Sequence, residues 1–109
     1  MSHQQYTSCI EACQACASAC DHCSTACLAE ENVAMMADCI ATDIDCARIC
    51  DYAAGVMARG SKHAAAVCRL CAEICDSCAQ ECEKHKHQHC KDCAEACRKC
   101  ADECRNMSA

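Results

Sequence analysis

At 109 residues the chain has room for one folded unit, and its net charge of -6 is spread over interspersed acids and bases that offer no basic face for nucleic acid. It contains no proline, two glycines, no phenylalanine or tryptophan, and nineteen cysteines, a composition without the turn punctuation and β-branched runs that a sheet needs. The longest apolar runs, Ala34 to Ala37 and Ala64 to Val67, fall far short of the ~20 residues that span a bilayer. Nucleic-acid and membrane partners are therefore not expected, and the fold class that remains is all-α.

The opening stretch, Met1 to Tyr6, has no basic region, apolar run or small-residue cleavage site of the secretory kind. The expected setting is the reducing cytoplasm, where cysteines stay as thiols or bind metal. The first predicted helix carries Cys9, Cys13, Cys16, Cys20, Cys23 and Cys27, stepping by 4, 3, 4, 3 and 4, so all six share one face in the manner of an a/d heptad seam. Glu30, Glu31 and Asn32 separate it from a second helix with a thinner seam. There Cys39, Cys46 and Cys50 keep the phase, while Met36, Asp43 and Met57 take positions where cysteine would have continued. Arg59, Gly60 and Ser61 form the next break, with Gly60 suited to a left-handed helix end and Ser61 to the N-cap of the third helix. That third helix bears Cys68, Cys71, Cys75, Cys78 and Cys82, and the fourth repeats the spacing with Cys90, Cys93, Cys97, Cys100 and Cys104. Between them the seam slips out of phase, which places a turn within Glu83 to His89. Four such segments joined by short turns predict an antiparallel up-down-up-down four-helix bundle with a cysteine-lined core, spanning residues 1–109 as a single metal-binding domain.

The spacing also carries chemistry. Eight CxxxC pairs occur: Cys9/Cys13, Cys16/Cys20, Cys23/Cys27, Cys46/Cys50, Cys71/Cys75, Cys78/Cys82, Cys93/Cys97 and Cys100/Cys104. Residues four apart on a helix hold their Cβ atoms ~5 to 6 Å apart on one face, too far for the ~3.8 Å of a disulfide but suited to a metal between two sulfurs. One cysteine would read as a small buried hydrophobe. Nineteen on inward faces, with only ten Val, Leu and Ile residues in the chain, leave too little aliphatic core for that explanation. Charge then selects the metal. Cu(I) and thiolate cancel one for one, whereas zinc tetrathiolates leave about two negative charges per site along a dry axis. Multiple Cu(I) ions are the expected ligand, and a zinc or general heavy-metal buffer is the alternative. A disulfide-stapled helical hairpin is a third reading. Iron-sulfur binding ranks last, because no compact cysteine run ending in proline is present. No open metal position with organised acid-base partners marks an enzyme.

This pattern of CxxxC pairs in four helical segments, running from Cys9 to Cys104, resembles the bacterial copper storage proteins, and the absence of a signal peptide resembles their cytosolic branch. The resemblance implies storage and sequestration of Cu(I) by inward thiolates, assembly as a homotetramer, and histidines or methionines at an open end of the bundle. Asp43 departs from the seam, which leaves the coordination of its layer open.

The antiparallel order brings Met35, Met36, His85, His87 and His89 to the same end as Cys27, Cys39, Cys82 and Cys90, a mouth where copper first docks. His85 and His89, which extend the seam phase of the third helix, are the candidate ligands there together with Met36. At the other end Met57, His63, Met107 and His3 could form a lesser site, although core filling explains Met57 and Met107 better. His22 lies off the seam and should face solvent. Asp43 faces the core by phase, so it needs a metal ligand role or an amide or water partner. Val33, Ile40, Ile44, Val67, Leu70 and Ile74 flank the seam, as core edge or as an oligomer interface.

Overall fold

Long runs of Ala, Cys, Glu, Lys and Arg without an internal proline favour helix throughout, and the computed structural model, which describes residues 6–108, follows that preference. Four α-helices succeed one another among the described residues: α1 (Thr7–Leu28), α2 (Ala37–Ala58), α3 (Ala64–Cys82) and α4 (Gln88–Ser108), with a 3-10 turn, Val33–Met36, leading into α2. Among the described residues there is no strand, and no helix is long and apolar enough to cross a membrane. Helices of 19 to 22 residues run ~29 to 33 Å at 1.5 Å per residue, within a body of 48 × 19 × 18 Å. Each helix packs on two neighbours, α1 and α3 both lying between α2 and α4. Sulfur contacts fix the direction: Cys9 meets Cys104 at one end and Cys23 meets Cys90 at the other, so α1 and α4 run antiparallel.

Two of the expected boundaries hold in detail and two shift. Gly60 adopts φ 64°, and the Gly60 and Ser61 amides donate to the Met57 and Val56 carbonyls at 3.1 and 2.9 Å, the paired bonds of a Schellman ending that a Cβ would strain. The break after α1 falls at Ala29, just before Glu30. Ser61, however, is not the N-cap of α3. Its hydroxyl accepts the His63 amide at 3.1 Å in a local turn, and the helix begins at Ala64. The last turn closes earlier than its expected end: α4 starts at Gln88, so His89 sits on the first turn of α4 and does not prolong α3.

The core is almost wholly cysteine and alanine. Apart from these, the buried apolar residues among those described are Tyr6, Met36, Val56 and Met57. Small side chains let four backbones approach one another, and the larger residues gather at the ends, Met36 by the mouth and Tyr6 and Met57 opposite. Exposed ion pairs brace the outside, with Arg98 bridging Glu83 and Asp76 at 2.9 and 3.3 Å and Arg48 reaching Asp21 at 2.7 Å. Pairs as exposed as these contribute little each, so burial of the sulfur face carries the fold.

Candidate metal centre

Every one of the nineteen cysteines points inward and is a free thiol. None exposes more than 1% of its surface. The seam period therefore does in three dimensions what it promised in one: six of the eight CxxxC pairs, 16/20, 23/27, 71/75, 78/82, 93/97 and 100/104, bring their sulfurs to 3.8–4.0 Å. Contacts between helices join the pairs. From Cys27 at the mouth, sulfurs follow one another through Cys23, Cys90, Cys39, Cys82, Cys78, Cys20, Cys97, Cys46, Cys75, Cys50, Cys100, Cys13 and Cys104 to Cys9, with no step longer than 4.0 Å. Cys93 adds a 3.5 Å contact to Cys20, Cys71 lies 3.8 Å from Cys50, and Cys68 joins Cys9 and Cys104 at the far end. The path runs the length of the bundle.

Sulfur quartets with all members within 4.8 Å of one another recur along it, among them Cys23/Cys27/Cys39/Cys90, Cys20/Cys78/Cys93/Cys97, Cys16/Cys20/Cys46/Cys97, Cys16/Cys46/Cys50/Cys75 and Cys13/Cys71/Cys100/Cys104. The three central quartets share members, Cys20 and Cys97 on one side and Cys16 and Cys46 on the other, so one sulfur can bridge two ions. At a metal-sulfur distance of about 2.3 Å, three sulfurs around one ion stand about 4.0 Å apart and two in line about 4.6 Å. The observed spacing suits three-coordinate sites as it stands, and two-coordinate sites need sulfurs to part by about 0.6 Å, a small rotamer change. Exchange of each thiol proton for a monovalent ion leaves the dry interior neutral, which divalent ions do not.

Asp43 is the one buried charged residue among those described, 0% exposed. Its protein partners are thiols: Cys78, Cys93 and Cys82 donate to Oδ1 at 3.2, 3.3 and 3.5 Å, and Cys39 to Oδ2 at 3.8 Å. Burial, followed by the neighbouring Cys93 charge, pushes its carboxyl up to about 12. It thus takes the place of a missing sulfur as a neutral acid bonded to thiols of its own helix and of α3 and α4. Met36 is buried at 3% and Met57 at 0%, as their seam phase predicts.

The mouth is more finely divided than the sequence indicates. His89 directs Nδ1 to Cys23 and Cys90 at 3.3 and 3.6 Å and Nε2 to Glu30 at 2.7 Å. His85 instead turns Nε2 to Glu81 at 3.0 Å. A cavity of about 360 Å³ beside them is lined by Glu30, Glu31, Asn32, Met35, Met36, His85 and His87. Cys27 and Cys90 are pushed up, first by burial and then by the charge of Cys23. Cys23 moves the other way, lowered through its hydrogen bonds with Cys39 and Cys82. At the opposite end Met57 is core, Met107 is partly buried against it and His63 is exposed, so they do not converge; His3 lies outside the described residues. His22 faces solvent, as its phase requires. Glu30 is the mouth residue that sequence reasoning left as a mere break.

A sequence profile described as copper storage protein matches residues 2–109. The chain belongs to the copper storage protein family. No curated protein matches the chain, but solved structures of the family do. The Cu(I)-bound copper storage protein BsCsp3 is 48% identical, with a TM-score of 0.89 over 93% of this chain and 95% of that one. The apo copper storage protein 3 from Bacillus subtilis is 46% identical, with a TM-score of 0.88 over 94% and 98%. A cytosolic copper storage protein from Streptomyces lividans carrying five coppers is 41% identical, with a TM-score of 0.93 over 97% and 93%. The family's four-helix fold is the one this chain adopts, and membership favours copper over the zinc reading.

Proposed function

We propose that this chain stores Cu(I) in the cytosol, loading it at the mouth through Cys23, Cys90 and His89 and holding it on the nineteen seam cysteines, with Asp43 completing the layer that lacks one. The unbroken sulfur path from Cys27 to Cys9 carries this reading: an ion bound at one quartet has the next within a single ligand exchange. Met36 and His85, which border the mouth cavity, assist docking. Copper here is cargo, and catalysis is absent from the role, because sulfurs with 0–1% exposure give a substrate no open metal position. The cytosolic setting rests on the likeness to the Streptomyces lividans protein and on thiols that must stay reduced. Self-association into a homotetramer is supported by the apolar side chains that Ile44, Tyr52 and Leu70 expose at 47, 58 and 47%.

The test is an anaerobic titration of the reduced protein with Cu(I) against a chromogenic chelator. The reading requires that the chelator stay uncoloured until on the order of ten or more ions per chain are bound, since bridging sulfurs approach one ion each. Breakthrough after only a few ions, or tighter retention of zinc than of copper, would sink it.

A further inference from the structure

Glu30 lies in the connection between α1 and α2, outside every cysteine seam, yet its Oε2 is 2.7 Å from His89 Nε2 across 59 positions of sequence. The same oxygen is 3.3 Å from His87 Nδ1, and the His87 ring lies parallel to that of His89 with centroids 5.4 Å apart. On its other edge His89 presents Nδ1 to the sulfurs of Cys23 and Cys90 at 3.3 and 3.6 Å. We propose that Glu30 is a positioning residue for copper loading, fixing the His89 ring so that its Nδ1 lone pair faces the first sulfur site. This role rests on copper entering at the mouth.

The chemistry is that of a carboxylate-histidine-metal relay. Neutral imidazole has one N–H and one lone pair. An ionised carboxylate only accepts, so the short contact to Glu30 requires the proton on Nε2, which leaves the lone pair on Nδ1. Without Glu30 nothing on that side holds the proton, and the other tautomer is free to form. In it Nδ1–H donates to the Cys23 sulfur, and the nitrogen that should receive an incoming ion is blocked. His87, stacked on His89 and tied to the same oxygen, limits rotation of the ring. His85 has a similar carboxylate contact, but with Glu81 on the preceding turn of its own helix end.

The test combines stopped-flow transfer of Cu(I) from a chromogenic chelator with ¹⁵N NMR of the imidazoles in the reduced metal-free chain, in alkaline buffer. Wild type should show His89 as the Nε2–H tautomer. Glu30→Ala should shift it toward Nδ1–H and slow loading of the first ion by about 10-fold. Glu30→Gln should fall between, because its amide oxygen still accepts from Nε2. In a His89→Ala background, Glu30→Ala should slow loading no further. If Glu30→Ala leaves tautomer and rate at wild-type values while His89→Ala loads slowly, the positioning role is wrong and the mouth stands. Loading of His89→Ala at the wild-type rate would remove the mouth reading itself. A further slowing by Glu30→Ala on top of His89→Ala would show Glu30 acting on its own, which also overturns the proposal.

Discussion

Replacing Asp43 with asparagine removes one titrating proton from the centre of the bundle and almost no volume. In the folded chain the carboxyl is held near 12 against an ordinary value of 3.8. Between those limits the folded state keeps its proton and the unfolded state loses it. The sign follows from the raised value: stability is full below the ordinary carboxylate range and is lost as pH rises toward the folded value. The slope is about 1.4 kcal/mol per pH unit, or about 4 kcal/mol between pH 5 and 8, a large part of the ~5 to 15 kcal/mol typical of a domain. Other titrating groups are common to both proteins and cancel in the difference. The assay is urea denaturation of wild type and Asp43→Asn, metal-free and reduced, at several pH values. The Asn variant should gain on the wild type by about 1.4 kcal/mol for each unit of pH. A difference that stays constant from pH 5 to 8 would refute the protonated buried acid.

Cys16 belongs to two quartets and touches Cys46 and Cys97 at 3.7 Å each, so Cys16→Ser should lower copper capacity by about one to two ions without unfolding the chain, as counted by native mass spectrometry. Gly60→Ala places a Cβ at φ 64° and should cost about 1 kcal/mol in chemical denaturation while leaving copper capacity unchanged. If the proposed homotetramer forms through the face bearing Leu70, which is 47% exposed in the single chain, Leu70→Glu should leave folding intact and give smaller species than wild type by light scattering. Equal size for the two proteins would contradict an interface there.

The helical seams were legible because a period of 3.5 fixes a face whatever packs against it: Cys9 to Cys27, Cys68 to Cys82 and Cys90 to Cys104 are buried as their spacing requires. Even the substitutions in the thin seam obeyed phase, since Met36, Asp43 and Met57 all face inward. The mouth was harder to read. The run from Glu83 to His89 contains no residue that breaks a helix, so the slip in phase placed His89 in the turn after α3, whereas it lies in the first turn of α4. The thiol partners of Asp43 come from three helices, and the Glu30 contact joins residues 59 apart. Such contacts depend on how helices are rotated and staggered, which periodicity does not encode. Ser61 shows the smaller version of this gap: its hydroxyl satisfies the turn before α3 and leaves the helix itself uncapped by a side chain.

The most direct test of the sulfur path is a copper anomalous difference map from crystals of the reduced chain loaded with Cu(I). Peaks should be strung along the bundle axis between the seam sulfurs, with one at Asp43 and the outermost beside Cys23, Cys90 and His89. Copper confined to the mouth or the outer surface, with the interior thiols bare, would contradict it.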